Sequence, residues 1–322
     1  ILGYIYMYIC YKAKNKDEKA GQRYTYNKSC VKEILRISIP ITLSAAVMSG
    51  SNLIDLSLIM RNLLGLGYTE ETATAIYGNY TTLAVPMFNL AISLISPISI
   101  AFVPIFSKCA AEKKQGLLTE AAYTSLSLIN CLSVPMSLGL FVYAEPILRL
   151  LFKGSDIILG TQLLKLLTPA IIFMGMLTVT NSLLESLGEV RVPVYSMLLG
   201  SVLKIICTLI LIKNPLYGIK AAPIGTVLCY AVALIFSLYS LGRKTKIFVP
   251  VLRKTLLPFA NTLTALLLTK PLFTRLSELI GETVSLFIII VIIALIYIAL
   301  TFICTVLFDK KILKLAKYTN FA

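Results

Sequence analysis

Eight stretches of about twenty mostly apolar residues dominate this sequence, and they leave few folds open to it. They cover 34–58, 80–107, 117–144, 163–187, 192–213, 217–242, 255–273 and 283–308. A helix needs about 20 such residues, at about 1.5 Å each, to cross a hydrocarbon layer about 30 Å thick. Strands of a membrane barrel would be shorter and would alternate apolar with polar positions. The expected fold class is therefore all-α, a polytopic membrane helical bundle. Composition agrees: 57% of the 322 residues are hydrophobic and 14% charged, where soluble domains carry about 25% charged residues.

The cations set an orientation. Thirty Lys and Arg against fifteen Asp and Glu give a formal charge of +15. If the 11–32 stretch is cytoplasmic and sides alternate from there, 21 cations fall on the cytoplasmic side and 8 opposite, with Lys204 left inside a span. That is the positive-inside pattern, and it accounts for the basic balance without nucleic acid as a partner. Membrane lipid is the expected surroundings, and both 11–32 and the C-terminus are expected to be cytoplasmic.

Enzyme chemistry finds little to use here. The chain has no His, so no His-based triad or His-ligated metal is available. Its seven Cys (10, 30, 109, 131, 207, 229 and 304) contain no C-x-x-C pair and mostly sit in apolar runs, as small hydrophobes do. Phosphate-loop and nucleophile-elbow signatures are absent. We expect no catalytic residue, no metal and no cofactor, with a coupling ion such as sodium or a proton compatible with the pattern.

Organisation follows from the polar breaks. Residues 1–10 read as the end of a truncated transmembrane helix, so the sequence reads as a fragment. Residues 11–32 read as a cytoplasmic linker between two bodies, 34–242 as a six-helix lobe, and 243–322 as two additional transmembrane helices with a tail. The segment 144–154 is too short to span, and its apolar residues around Arg149 suit an interfacial half-helix.

Polar groups inside the runs are the candidate site. Ser44, Ser51 and Asp55 fall within about 40° of one another on a helix, with Asn52 alongside. Carboxylates at membrane depth face a cavity or a partner. Asp55 is either such a group or an acid at the outer interface near Arg61. Lys204 lies roughly 14–18 Å from either end of its run, beyond the reach of snorkelling. It must face protein or a wet cavity, holding either a substrate anion or a carboxylate partner. Thr178, Asn181 and Glu185 share one face of another run, with Glu185 near its cytoplasmic end.

Three segments carry a family resemblance: PITLSAAVMSGSNLIDLSLIMRNL, IYGNYTTLAVPMFNLAISLISPISIAFVPIFSK and NSLLESLGEVRVPVYSMLLGSVLKIICTLILIKNPLYGIKAAPIGTVLCY. They resemble the stage V sporulation protein B group, in the polysaccharide-biosynthesis and lipid II flippase branch of the MOP (MATE-like) exporter superfamily. The resemblance implies fourteen helices: two six-helix lobes and an extra pair. This chain matches the end of helix six, the second lobe and the extra pair, so the N-terminal lobe of the same protein is an expected partner. Gly78-Asn79 stands where lipid II flippases carry an Asp-Arg pair, which favours the sporulation branch.

The implied function is a flippase for an undecaprenyl-linked saccharide or peptidoglycan precursor, working by alternating access in a bacterial cell membrane. The candidate cavity residues are then Lys204, Asp55, Asn52, Ser51, Ser44, Arg61, Asn181 and Glu185. The rival readings are a cation-coupled multidrug exporter of the same superfamily and a non-catalytic scaffold of envelope assembly.

Overall fold

The computed structural model describes residues 28–152, 156–212, 217–245 and 251–308, with side chains described from Ile39 onward except at a few positions, Ser44 among them. The chain divides into two compact units, Ile1–Ile39 and Pro40–Ala322. Of the first, the described part is helical backbone. The expected helix end at 1–10, the stretch 11–27 and the tail from 309 lie outside the described residues.

Among the described residues there are eleven α-helices and no strands: α1 Lys28–Gly65, α2 Glu70–Asn79, α3 Val85–Ala111, α4 Gln115–Val142, α5 Ala144–Leu151, α6 Ile157–Leu167, α7 Pro169–Ser186, α8 Arg191–Ile212, α9 Ala221–Thr245, α10 Val251–Ile280 and α11 Glu282–Phe308. A π-helical turn, Tyr80–Ala84, joins α2 to α3 into one long span. Pro86 follows two residues after the turn. Having no N–H, it leaves the Thr82 carbonyl without its ordinary helical donor, and the chain passes this point widened. Among the described residues, six helical segments are long and apolar enough to cross a membrane, or seven if the bent pair Ile157–Leu167 and Pro169–Ser186 is one span. The sequence-predicted run 34–58 lies within α1.

One expected span is broken. The run 163–187 is not a single helix but the end of α6 and then α7, bent by 41° at Thr168-Pro169. Pro169 cannot donate to the preceding turn, and the nearby Ser137 hydroxyl of α4 donates to the Thr168 carbonyl at 2.8 Å. The half-helix expected at 144–154 is α5, with Ala144 and Leu148 buried and Arg149 outside, paired with Glu145 one turn back. Gly188, at φ +82°, ends α7: its N–H and that of Glu189 return to the carbonyls of Glu185 and Leu184.

The main core is built where α3, α4, α6, α7 and α9 meet, around residues such as Ile95, Leu126, Leu163 and Leu183. Helices α8 and α9 cross closely. A Cβ at Gly200 would sit 2.5 Å from the Cys229 carbonyl oxygen, so only glycine allows this approach. The last two helices pack on each other, α10 against α4 and α11 against α5. Tyr297 of α11 donates to the Cys131 carbonyl at 2.7 Å.

Candidate functional site

Helices α1 and α8 run side by side in the same direction and meet through polar side chains. On α1, Ser51, Asp55 and Asn62 recur at four and seven residues and so share one face; Ser51 and Asp55 are buried on it. On α8, Lys204 and Thr208 are one turn apart and buried, with Ile212 one turn further. The Lys204 Nζ lies 2.7 Å from Asp55 Oδ2 and donates to Asn52 Oδ1 at 2.8 Å. The Thr208 hydroxyl donates to Asp55 Oδ1 at 3.4 Å, a long contact. Further along, Asn62 Nδ2 donates to the Ile212 carbonyl at 2.9 Å.

The pair is sealed. Lys204 is 1% exposed and Asp55 3%, although Asn52 at its edge is exposed. The floor is α9, where a Cβ at Gly225 would stand 3.2 Å from Lys204 Cγ and 3.0 Å from Thr208 Oγ1. Glycine here leaves room for the lysine stem. Beside it, the buried Tyr80 hydroxyl of the π turn shares a hydrogen bond with Thr226 of α9 at 3.2 Å. Lys204 stands about 20 Å from the start of α8 and about 12 Å from its end. An ion at such depth is costly alone, and here each neutralises the other.

Two expectations change. Asp55 is not an interfacial acid beside Arg61: it pairs with Lys204, while Arg61, six residues on and so turned away around the helix, is exposed. The Thr178, Asn181, Glu185 face is a packing seam in this structure. Thr178 accepts from Ser99 of α3 at 2.9 Å, and Asn181 accepts from Ser237 of α9 at 3.1 Å. Glu185 is half-buried in the last turn of α7. The Ser44 side chain lies outside the described residues. Thr208, Asn62, Tyr80 and Thr226 were not anticipated. The first two continue helical stripes already visible, at four residues from Lys204 and seven from Asp55.

Residues 40–210 match the MatE family. The chain is 26% identical over 267 residues to the uncharacterized membrane protein YabM of Bacillus subtilis, covering 82% of this chain and 48% of that protein. It is 23% identical to the stage V sporulation protein B of the same organism, covering 69% of this chain and 43% of the relative. The chain thus spans about half the length of these relatives. Among solved structures, the lipid II flippase MurJ in an inward closed conformation superimposes with a TM-score of 0.57 at 18% identity, over 88% of this chain and 57% of that one. That likeness shows a shared fold.

Proposed function

Because the chain belongs to the MatE family of the MOP superfamily, we propose that it forms one lobe of a multi-pass membrane flippase for an undecaprenyl-linked saccharide or peptidoglycan precursor. The observation that carries this reading is the buried ammonium of Lys204 at mid-depth, opposed by a carboxylate on a different helix. A diphosphate-linked substrate is anionic where it must cross, and a lysine offers it a point charge. A carrier of cationic drugs would call for acids without a matched cation.

The path needs walls that move relative to each other. In the closed packing Asp55 holds the ammonium. When α1 tilts from α8, water reaches Asp55 and the ammonium becomes free for the substrate's phosphates. One anion thereby replaces another, and the lysine is never left bare. A second lobe, equivalent to the N-terminal half of the longer relatives, would supply the facing wall.

The test is translocation in proteoliposomes by the protein with both lobes, using a labelled undecaprenyl-diphosphate saccharide and, separately, a cationic dye. The expected result is movement of the anionic lipid and none of the dye, with loss of movement in a folded D55N/K204M variant. Dye export, or wild-type flipping by that variant, would overturn the reading.

A further inference from the structure

We propose that the cleft between α5 and the start of α11 binds the headgroup of a membrane phospholipid carrying a primary amine, of the phosphatidylethanolamine class. The cleft measures about 250 Å³ and is lined by Pro146, Arg149 and Leu150 of α5 and by Glu282 and Thr283 of α11. Sites for drug-sized ligands run to about 300–1,000 Å³, so this one has room for a headgroup while the chains stay outside. Both walls stand at the ends of spans: α5 follows α4 after one residue, and α11 begins at Glu282. The cleft therefore sits at headgroup depth, where an amphipathic half-helix belongs.

The charges in the cleft select the headgroup. Pro146, Arg149 and Leu150, at i, i+3 and i+4, share the face of α5 turned away from the buried Ala144 and Leu148. Arg149 is a permanent cation paired with Glu145, one turn back. Across the cleft, Glu282 has no ion-pair partner among the described residues. The site thus offers a guanidinium to a phosphate and a free carboxylate to a cation. Glu145 and Glu282 together outnumber Arg149, so a headgroup of net negative charge is disfavoured. A zwitterion with a primary amine meets both signs, and its ammonium brings N–H donors to Glu282. A quaternary choline carries the same charge without those donors.

The apolar surroundings favour a lipid over a soluble phosphoamine. Val284, Phe287, Val291 and Leu295 recur every three or four residues and form one exposed apolar stripe down α11 from the cleft. Leu150, on the cleft wall, packs onto the buried cluster of Tyr143, Leu266, Leu286 and Ile289, which joins the α4–α5 corner to α10 and α11. A headgroup held between Arg149 and Glu282 lies over this joint, with its chains along the stripe. Bound there, the lipid ties the half-helix to the last helix. The inference does not depend on what the protein transports.

The experiment measures thermal unfolding of the purified, delipidated chain in a neutral detergent with four added probes. These are dihexanoyl phosphatidylethanolamine, the phosphatidylcholine and phosphatidylglycerol of the same chains, and phosphoethanolamine alone. The ethanolamine lipid is expected to stabilise most. At a concentration a hundred-fold above its dissociation constant, the folded-to-unfolded ratio rises about a hundred-fold, a shift on the order of 5 °C. E282Q should lose the preference for ethanolamine over choline lipid, and R149Q should weaken the response to both. Both positions are exposed, so both variants should fold. Equal stabilisation by the choline or glycerol lipid overturns the proposal, as does the absence of any shift with the ethanolamine lipid. So does a preference that survives E282Q, an unaltered response in R149Q, or the full shift from phosphoethanolamine alone.

Discussion

Substitution of Lys204 by Met would leave Asp55 as an unpaired carboxylate among buried side chains, since the pair is 2.7 Å apart and its side chains are 2% and 5% exposed. Breaking one half of a buried ion pair costs about 3–5 kcal/mol. K204M should therefore unfold more readily than the wild type by about that amount. D55N strands the ammonium instead and should cost a similar amount. D55N/K204M removes both charges and should return to within about 1 kcal/mol of wild type, because neutral replacement of a buried pair is often free. Equilibrium unfolding in mixed micelles at pH 7 measures all four corners of the cycle. If K204M and D55N/K204M are equally stable at pH 7, Asp55 and Lys204 are not coupled and the sealed pair described above is wrong.

Three further outcomes follow from other parts of the fold. G200A should cost about 1–3 kcal/mol, because its methyl would meet the Cys229 carbonyl, which only separation of α8 and α9 can relieve; unchanged unfolding would argue against the close crossing. Y80F should lose about 1 kcal/mol with the Thr226 hydrogen bond, read by the same unfolding assay, and a neutral result would show that the π turn holds without it. A cysteine introduced at Lys113 in a cysteine-free background should resist an impermeant maleimide in intact cells, as the cation distribution expects of the α3–α4 loop; labelling there would invert the topology.

Much of this was legible in sequence, for physical reasons that also mark where legibility stops. Membrane thickness fixes helix length, so the long runs announce themselves, and so does a lysine too deep to snorkel. Periodicity fixes which residues share a face, so Ser51, Asn52 and Asp55 could be grouped. It does not say which helix that face meets. Asn52 and Lys204 are 152 positions apart, and nothing local joins them. Thr178 and Asn181 show the converse. Small polar residues on one helical face can line a path or can tie helices together, and here they bond Ser99 and Ser237. The break at Pro169 was hidden because an apolar run continues across it, although its hydrogen bonds do not.

The choice of an ion pair at the α1–α8 contact bears on how such a contact could open. A seam of leucines between two helices would lose about 1.5–3 kcal/mol per side chain when water entered it, and would hold the closed packing by that margin. A buried ion pair behaves differently. Its attraction in the closed state is largely offset by lost hydration, and on wetting each ion regains that hydration. Such a pair therefore adds little net preference for the packed arrangement, while leaving one ion dry and unpaired is costly. Asn62 and the Ile212 carbonyl extend the same logic about two turns further along α1, since both groups can exchange their bond for water. The apolar residues flanking Asn62 by one turn or less, Ile59 and Leu63, are buried in the main core. Under the proposed reading, such a contact would part along its polar stripe, with the Asp55–Lys204 pair as the element that has to be wetted or matched by another anion.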